Sequence, residues 1–266
     1  MPQEISVVIN TCNEAHHLRE CVESLRGFAD EIVVCDMEST DGSAELAKEL
    51  GCKVITHKRM PAPEPDARIA AINASSGDWI LVFDPDMRLL AETAREMRRL
   101  IEEDNCDMIW FTLLNVCFGI PTRHGHGAIY FLKLFRRSAF NPSEHLDDPI
   151  HTLFHKSLTG RSAYLPRKYY VVHYAYPDIP TFIKNHARYA EAEAHCLLSA
   201  GKSPSLARIF WLPVRRFLGN MVKRSAWRDG AVGFILSGLV STYLFQRECI
   251  LWELRRKSGK RNGSVK

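Results

Sequence analysis

Gly77-Asp78-Trp79-Ile80-Leu81-Val82-Phe83-Asp84-Pro85-Asp86 is the stretch on which the fold turns. Five consecutive large apolar residues, Trp79 to Phe83, read as a strand buried on both faces. Such strands do not ordinarily finish in acids, yet this one ends in two. Asp84 and Asp86 stand two residues apart across Pro85, whose ring fixes φ, so both carboxylates can lie beside one hard cation such as Mg2+ or Mn2+. Asp-Pro-Asp is also a common solvated turn. The neighbouring segments of the chain decide between these two readings.

Toward the N-terminus the chain alternates strand and helix. Ile5-Ser6-Val7-Val8-Ile9 is a β-branched strand, and Leu18, Cys21, Val22 and Leu25 form one face of a helix for which Asn13 is the candidate N-cap. Glu31 to Asp36 is a second strand. Ser39-Thr40-Asp41-Gly42 turns into a helix carrying Ala44, Leu46, Ala47 and Leu50, closed by Gly51. Cys52 to Thr56 makes a third strand, and a short helix from about Ala67 to Ser75 precedes the acid-tipped one. This alternation means parallel strands joined by crossovers, hence an open α/β sheet with helices on both faces. Ligands bind such sheets beyond the carboxyl ends of the strands. Asn13-Glu14, Asp36 with Ser39-Thr40-Asp41, and Asp84 with Asp86 each follow a carboxyl end, so three polar clusters share one edge.

Downstream, Ala91 to Glu103 is a charged surface helix, Asp107 to Leu114 a strand, and Tyr130 to Arg136 another strand, expected antiparallel. Residues 141–155 carry Glu144, His145, Asp147, Asp148, His151 and His155, a composition suited to a functional loop. Val171-Val172-His173-Tyr174 is a short strand bearing a histidine. The histidines at 124, 126, 145, 151 and 155 lack Cys partners and a helical HxxxH pattern, which argues against zinc.

Composition bounds the class. Apolar residues at 46% and charged ones at 25% fit a globular protein large enough for one domain with an appendage. Eight cysteines form no CxxC pair, which suggests reduced thiols in the cytosol. The N-terminus enters a strand pattern without a basic or apolar leader, so no secretion signal is expected. The longest weakly polar run, Ala231 to Phe245, has 15 residues and is short for a bilayer span. Residues 1–200 hold 21 Lys+Arg against 28 Asp+Glu, whereas residues 201–266 hold 14 against 3. An acidic body thus carries a basic last quarter, which points to an anionic surface as partner.

The segments Ile5 to Ile9 with Asn13-Glu14, Ile32 to Asp36 with Ser39-Thr40-Asp41-Gly42, and Gly77 to Leu81 with Asp84-Pro85-Asp86 together resemble family 2 glycosyltransferases. The likeness is strong over residues 4–90 and looser around His173-Tyr174 and in the C-terminal helices. The nearest subset resembles bacterial enzymes that add glucose to the lipopolysaccharide core. The resemblance implies a GT-A type, Rossmann-like open mixed sheet with a C-terminal amphipathic helical extension. The activity it implies is inverting, metal-dependent transfer of a hexose, glucose in that subset, from a UDP-sugar to a membrane glycolipid or polysaccharide precursor.

By the same resemblance, Thr11, Asn13, Glu14, Asp36, Ser39, Asp41, Arg68 and Asp84 face the nucleotide-sugar donor, and Asp86, Asp84 and His173 hold Mn2+ or Mg2+. The chemistry agrees: a carboxylate such as Asp36 can accept the N3–H of uracil, and Glu14 can accept from ribose hydroxyls. The Ser39 to Gly42 segment is a helix-capping turn in either case, and His173 also reads as a histidine satisfied at a strand end. Two departures stand out. Arg68 is followed by Ile69 where the family often has Asn, and His151-Thr152 stands where related enzymes often have His-Glu. The acceptor base is therefore assigned to Asp148, with Asp147 next and Glu144 third, each of which also reads as a loop turn residue.

The expected organisation is a transferase domain over 1–200 (donor half 1–90, acceptor half 91–200), a basic amphipathic segment over 201–256, and a disordered basic tail over 257–266. In the C-terminal segment apolar pairs recur at Ile209/Phe210, Pro213/Val214, Phe217/Leu218 and Met221/Val222 among arginines and lysines. That pattern suits an interfacial anchor on anionic lipid at the inner face of the cell membrane, with Trp211, Trp227 and Trp252 at headgroup level. The alternative is a helical hairpin packed on the catalytic domain or in a homodimer. Interleaved apolar residues disfavour nucleic acid as the partner. A sugar nucleotidyltransferase would need a glycine-rich phosphate loop after the first strand, where Asn10 to Glu14 has no glycine. A non-catalytic, membrane-bound scaffold that keeps the nucleotide site is the other reading.

Overall fold

The computed structural model describes residues 3–59, 65–125, 128–141 and 157–263. The elements are β1 (Ile5–Thr11), α1 (Ala15–Leu25), β2 (Glu31–Asp36), α2 (Ser43–Glu49), β3 (Lys53–Thr56), α3 (Pro65–Ala74), β4 (Trp79–Phe83), β5 (Met87–Leu89), α4 (Ala91–Glu102), β6 (Met108–Cys117), β7 (Ile120–Pro121), β8 (Ala128–Arg136), β9 (Ser162–Tyr164), β10 (Tyr170–Tyr176), α5 (Ile179–Ser199), α6 (Leu206–Leu218) and α7 (Gly230–Gly263). The strand order is β3-β2-β1-β4-β8-β6-β10-β5, with β7 and β9 on β6. β3, β2, β1 and β4 run parallel, whereas β8 joins β4 and β5 joins β10 antiparallel. The sheet is therefore mixed and open.

Successive side chains of a strand point to opposite faces, and both faces here are covered. Trp79, Leu81 and Phe83 of β4 pack with Ile5, Val7 and Ile9 of β1 against α1 and α4, while Ile80, Val82 and Val8 pack against Ala67, Ala71 and Ile72 of α3. That double burial is why β4 reads as an uninterrupted apolar run. Its entry is fixed by Gly77, whose amide donates to Ser6 Oγ at 2.8 Å. A Cβ at Gly77 would stand 2.7 Å from the Ser6 nitrogen and 2.9 Å from the Glu4 carbonyl.

The chain divides into two compact units, Met1–Leu114 with Ile129–Tyr174, and Asn115–Ala128 with Ala175–Lys266. In the second unit, Cys117, Phe182, Val232, Leu236 and Val240 form the core. Fully buried Glu248 on α7 accepts from Arg208 of α6 at 3.1 Å and from Arg247 at 2.8 Å, and Arg247 also reaches Glu193 of α5 at 2.9 Å. One charge network thus ties three helices. Asp229 accepts from the amides of Arg123 and His124 and pairs with His124 Nδ1 at 2.8 Å. The apolar pairs of α6 split: Ile209 is buried and Phe217 meets Phe234 edge-on, while Phe210, Val214 and Leu218 stay exposed. No described helix is long and apolar enough to cross a membrane. All eight cysteines are free thiols.

Several sequence expectations shift. Asn13 is not the N-cap of α1: Glu14 holds that position without a side-chain cap bond, and Asn13 adopts φ 59°. β5 goes unread because three residues carry no periodicity. α7 continues through residues 257–263, where the sequence reading has a structureless tail. Substituting Gly77→Ala should destabilise the protein by about 1–3 kcal/mol in urea unfolding, since the added methyl meets backbone that cannot step aside.

Candidate active site

The parallel register sets Thr11 directly beside Asp36 at the carboxyl ends of β1 and β2. Both are buried, and Thr11 Oγ1 and Asp36 Oδ1 have no hydrogen-bond partner among the described residues. Native proteins rarely leave such groups unsatisfied, so a neighbouring pair of them marks a place for a ligand. The other Asp36 oxygen accepts from the Ser39 amide at 3.1 Å.

The two loops above these strands are laced together. Ser39 Oγ accepts from the Asn13 amide at 2.9 Å, Asn13 Oδ1 accepts from the Thr40 amide at 2.7 Å, and the Glu14 amide donates to Ser43 Oγ at 3.1 Å. Asp41 accepts from the Ala15 amide at 2.9 Å and from Ser43 Oγ at 2.6 Å. Burial opposes its ionisation, but these hydrogen bonds prevail and lower its pKa. Both Asp41 oxygens are thus engaged in holding the starts of α1 and α2, which makes it a positioning residue. Ser39 and Asn13 shape the same loop pair.

At the end of β4, Asp84-Pro85-Asp86-Met87 closes a turn, with the Met87 amide donating to the Asp84 carbonyl at 3.0 Å. Buried Arg88 clamps it, donating to the carbonyls of Pro85 and Met87 at 2.9 Å while pairing with Glu20 at 2.8 Å. The turn leads into β5, whose pairing sets Met87 opposite His173 of β10. That register brings His173 Nε2 to 3.3 Å from Asp86 Oδ2. Asp86 Oδ1 is buried and has no hydrogen-bond partner among the described residues.

Asp84 is ion-paired with Lys133 of β8. Burial alone would raise its pKa, but Lys133 foremost, then Arg68 and His173, outweigh that and hold it well below the usual carboxylate range. Glu14 moves the other way, raised by burial and then by the Asp86 charge. His17 is lowered by burial and then by His16, and its ring lies 6.3 Å from that of Tyr174. Glu14, His16 and His17 bring ligand atoms within 4.8 Å of one another. His173 and Asp86 thus face each other, while Asp84 turns its carboxylate to Lys133.

Thr11, Asn13, Glu14, Asp36, Ser39, Arg68, Asp84, Asp86 and His173 therefore gather at one edge. Asp147 and Asp148, with Glu144, His145, His151 and His155, lie outside the described residues, as does His126. The sequence reading missed Lys133, Arg88 and His17. Lys133 had a usable signal, a lone cation between Leu132 and Leu134 in an apolar strand.

A mixed open sheet of this order, with helices on both faces, is an α/β fold of the GT-A type. The profile described as Glycosyl transferase family 2 matches residues 6–161. The chain belongs to that family and is a glycosyltransferase. It is 25% identical over 260 residues to an uncharacterized glycosyltransferase of Rickettsia bellii, covering 96% of this chain and 88% of that one. S. aureus TarS residues 1–349, in complex with UDP, is similar in fold with a TM-score of 0.50 at 16% identity, covering 96% of this chain and 92% of that one. Glucosyl-3-phosphoglycerate synthase from Mycobacterium tuberculosis, in complex with phosphoglyceric acid, gives 0.50 at 16% identity, covering 76% and 82%.

Lys133→Met leaves the half-buried Asp84 carboxylate without its ion pair and should cost about 1–3 kcal/mol at pH 7. A depressed carboxyl pKa stabilises above the ordinary Asp value of 3.8 and loses that contribution as pH falls through the folded value. Urea unfolding of wild type and variant should therefore converge toward acid.

Proposed function

We propose that the chain transfers a hexose, glucose in the first instance, from a UDP-sugar to a membrane glycolipid or polysaccharide precursor such as lipopolysaccharide core, with inversion. The observation that carries the donor half is the adjoining pair of unsatisfied buried groups, Thr11 Oγ1 and Asp36 Oδ1, on the sheet edge that also holds Asp84, Asp86 and His173. Asp36 accepts from the base, and Glu14 from the ribose. Arg68 and Lys133 place positive charge around Asp84, where the donor's diphosphate and sugar meet.

Asp86 with Asp84 and His173 holds Mn2+ or Mg2+, which would neutralise charge on the departing nucleoside diphosphate. His173 is fixed for this by strand pairing and so needs no reorganisation. Asp148 serves as base to the acceptor hydroxyl, or Asp147 in its place. The exposed apolar residues of α6, set among arginines, support attachment to the inner, anionic face of the cell membrane, where a lipid-linked acceptor resides. A homodimer through the same helix is the competing use of that face.

Incubation with a panel of UDP- and GDP-sugars, with Mn2+, Mg2+ or EDTA, should release nucleoside diphosphate from one UDP-hexose in a metal-dependent way. Asp86→Ala should lower that release by about a hundredfold or more. Equal release in EDTA, or binding of donor without turnover on any lipid-linked acceptor, contradicts the proposal, the latter in favour of a non-catalytic scaffold.

A further inference from the structure

The second unit contains a concave site that sugar transfer does not require. α6, the π-helical segment Gly219–Lys223 and α7 enclose a pocket of about 570 Å3, whose lining includes Arg215, Arg216, Asn220, Lys223, Arg224 and Arg247. Arg247 is matched by Glu193 and Glu248. The other four cations form no ion pair with any described residue, so the pocket holds a surplus of positive charge. Arg216 bears the consequence: burial first, then Arg224, Arg215 and Arg247, lower its pKa. Like charges gathered in a concavity repel, and an anion among them relieves that cost.

A second observation is independent of charge. Asn220 is only 1% exposed, and neither its amide nitrogen nor its carbonyl oxygen has a hydrogen-bond partner among the described residues. A buried amide satisfied on neither side implies a partner that belongs there. It sits in a π-helical turn, a rare form frequently found at functional sites.

A third observation concerns what lies along the same helix. Along α6, Phe210, Val214 and Leu218 recur every four residues and remain 68%, 48% and 50% exposed. Spacing of four places them on one face of an α-helix. A cationic pocket on an apolar-faced helix fits an amphiphile with a compact anionic head.

We propose that this pocket binds a phosphate or diphosphate group, borne by an amphiphile whose apolar part lies along the exposed face of α6. A phosphomonoester brings close to two charges and three acceptor oxygens, which guanidinium forks and the Asn220 N–H can meet together. A diffuse anionic surface would call for neither a concavity nor a buried amide. The proposal extends the membrane-acceptor reading but does not depend on the donor site.

The test uses the full chain with phosphatidylcholine vesicles carrying either phosphatidic acid or phosphatidylglycerol at matched surface charge, with and without inorganic pyrophosphate, and follows UDP binding in parallel. Wild type should partition to phosphatidic acid vesicles about tenfold better, and pyrophosphate should abolish the preference. Arg216→Gln and Asn220→Leu should each remove the preference while leaving UDP binding intact. Arg216→Gln alters a half-exposed side chain and decides the matter if Asn220→Leu fails to fold.

Arg216-dependent binding of pyrophosphate without vesicle preference keeps the phosphate site and assigns it a soluble ligand. Equal partition of wild type to both vesicles with no pyrophosphate binding, or a preference that survives Arg216→Gln, overturns the proposal. Preference without any UDP binding would sink the UDP-sugar donor reading and leave this one standing.

Discussion

Asp84 bears a charge at the end of a strand whose five preceding residues are all buried, and ions in such places must be matched by charge and hydrogen bonds. Lys133 supplies the direct match, Arg68 and His173 add to it, and each comes from a different element. Antiparallel β8 next to β4 delivers the lysine, α3 the arginine, and the β5–β10 pair the histidine. The strand order that buries the apolar residues also brings these groups to Asp84. Losing Lys133 would leave the carboxylate with only the weaker support of Arg68 and His173.

The same logic separates residues that hold the site from residues that face a ligand. Asp41 and Arg88 use their polar atoms on the chain itself, one on the starts of two helices and the other on the Asp-Pro-Asp turn. Thr11, Asp36 and Asp86 each keep a buried oxygen with no partner among the described residues. Rigid loops around unsatisfied groups are what a preorganised binding site requires, since geometry is set before the ligand arrives.

Much of this was legible in the sequence, for identifiable reasons. The run Trp79 to Phe83 and the alternation before it announce parallel strands because two-sided burial removes polar positions. Asp36, Asp84 and Asp86 stand out because acids seldom end such strands. Lys133 and β5 escaped because their meaning lies in pairing: a lysine in a strand is informative only once its neighbour is known, and Met87–Leu89 is too short to show a period. For Asp41 the resemblance implies the donor while the turn implies a cap, and the structure shows its oxygens on Ala15 and Ser43. On α6 the sequence showed adjacent apolar pairs, but only packing distinguishes Ile209, turned inward, from exposed Phe210.

The central claim is that Asp86 and His173 share one divalent cation beside a bound nucleotide. Titration of Mn2+ followed by electron paramagnetic resonance, in the presence of UDP, measures this directly. The account predicts one tightly held ion, with affinity reduced about 10–100-fold in His173→Gln and more in Asp86→Ala. Unchanged Mn2+ affinity in Asp86→Ala would contradict it.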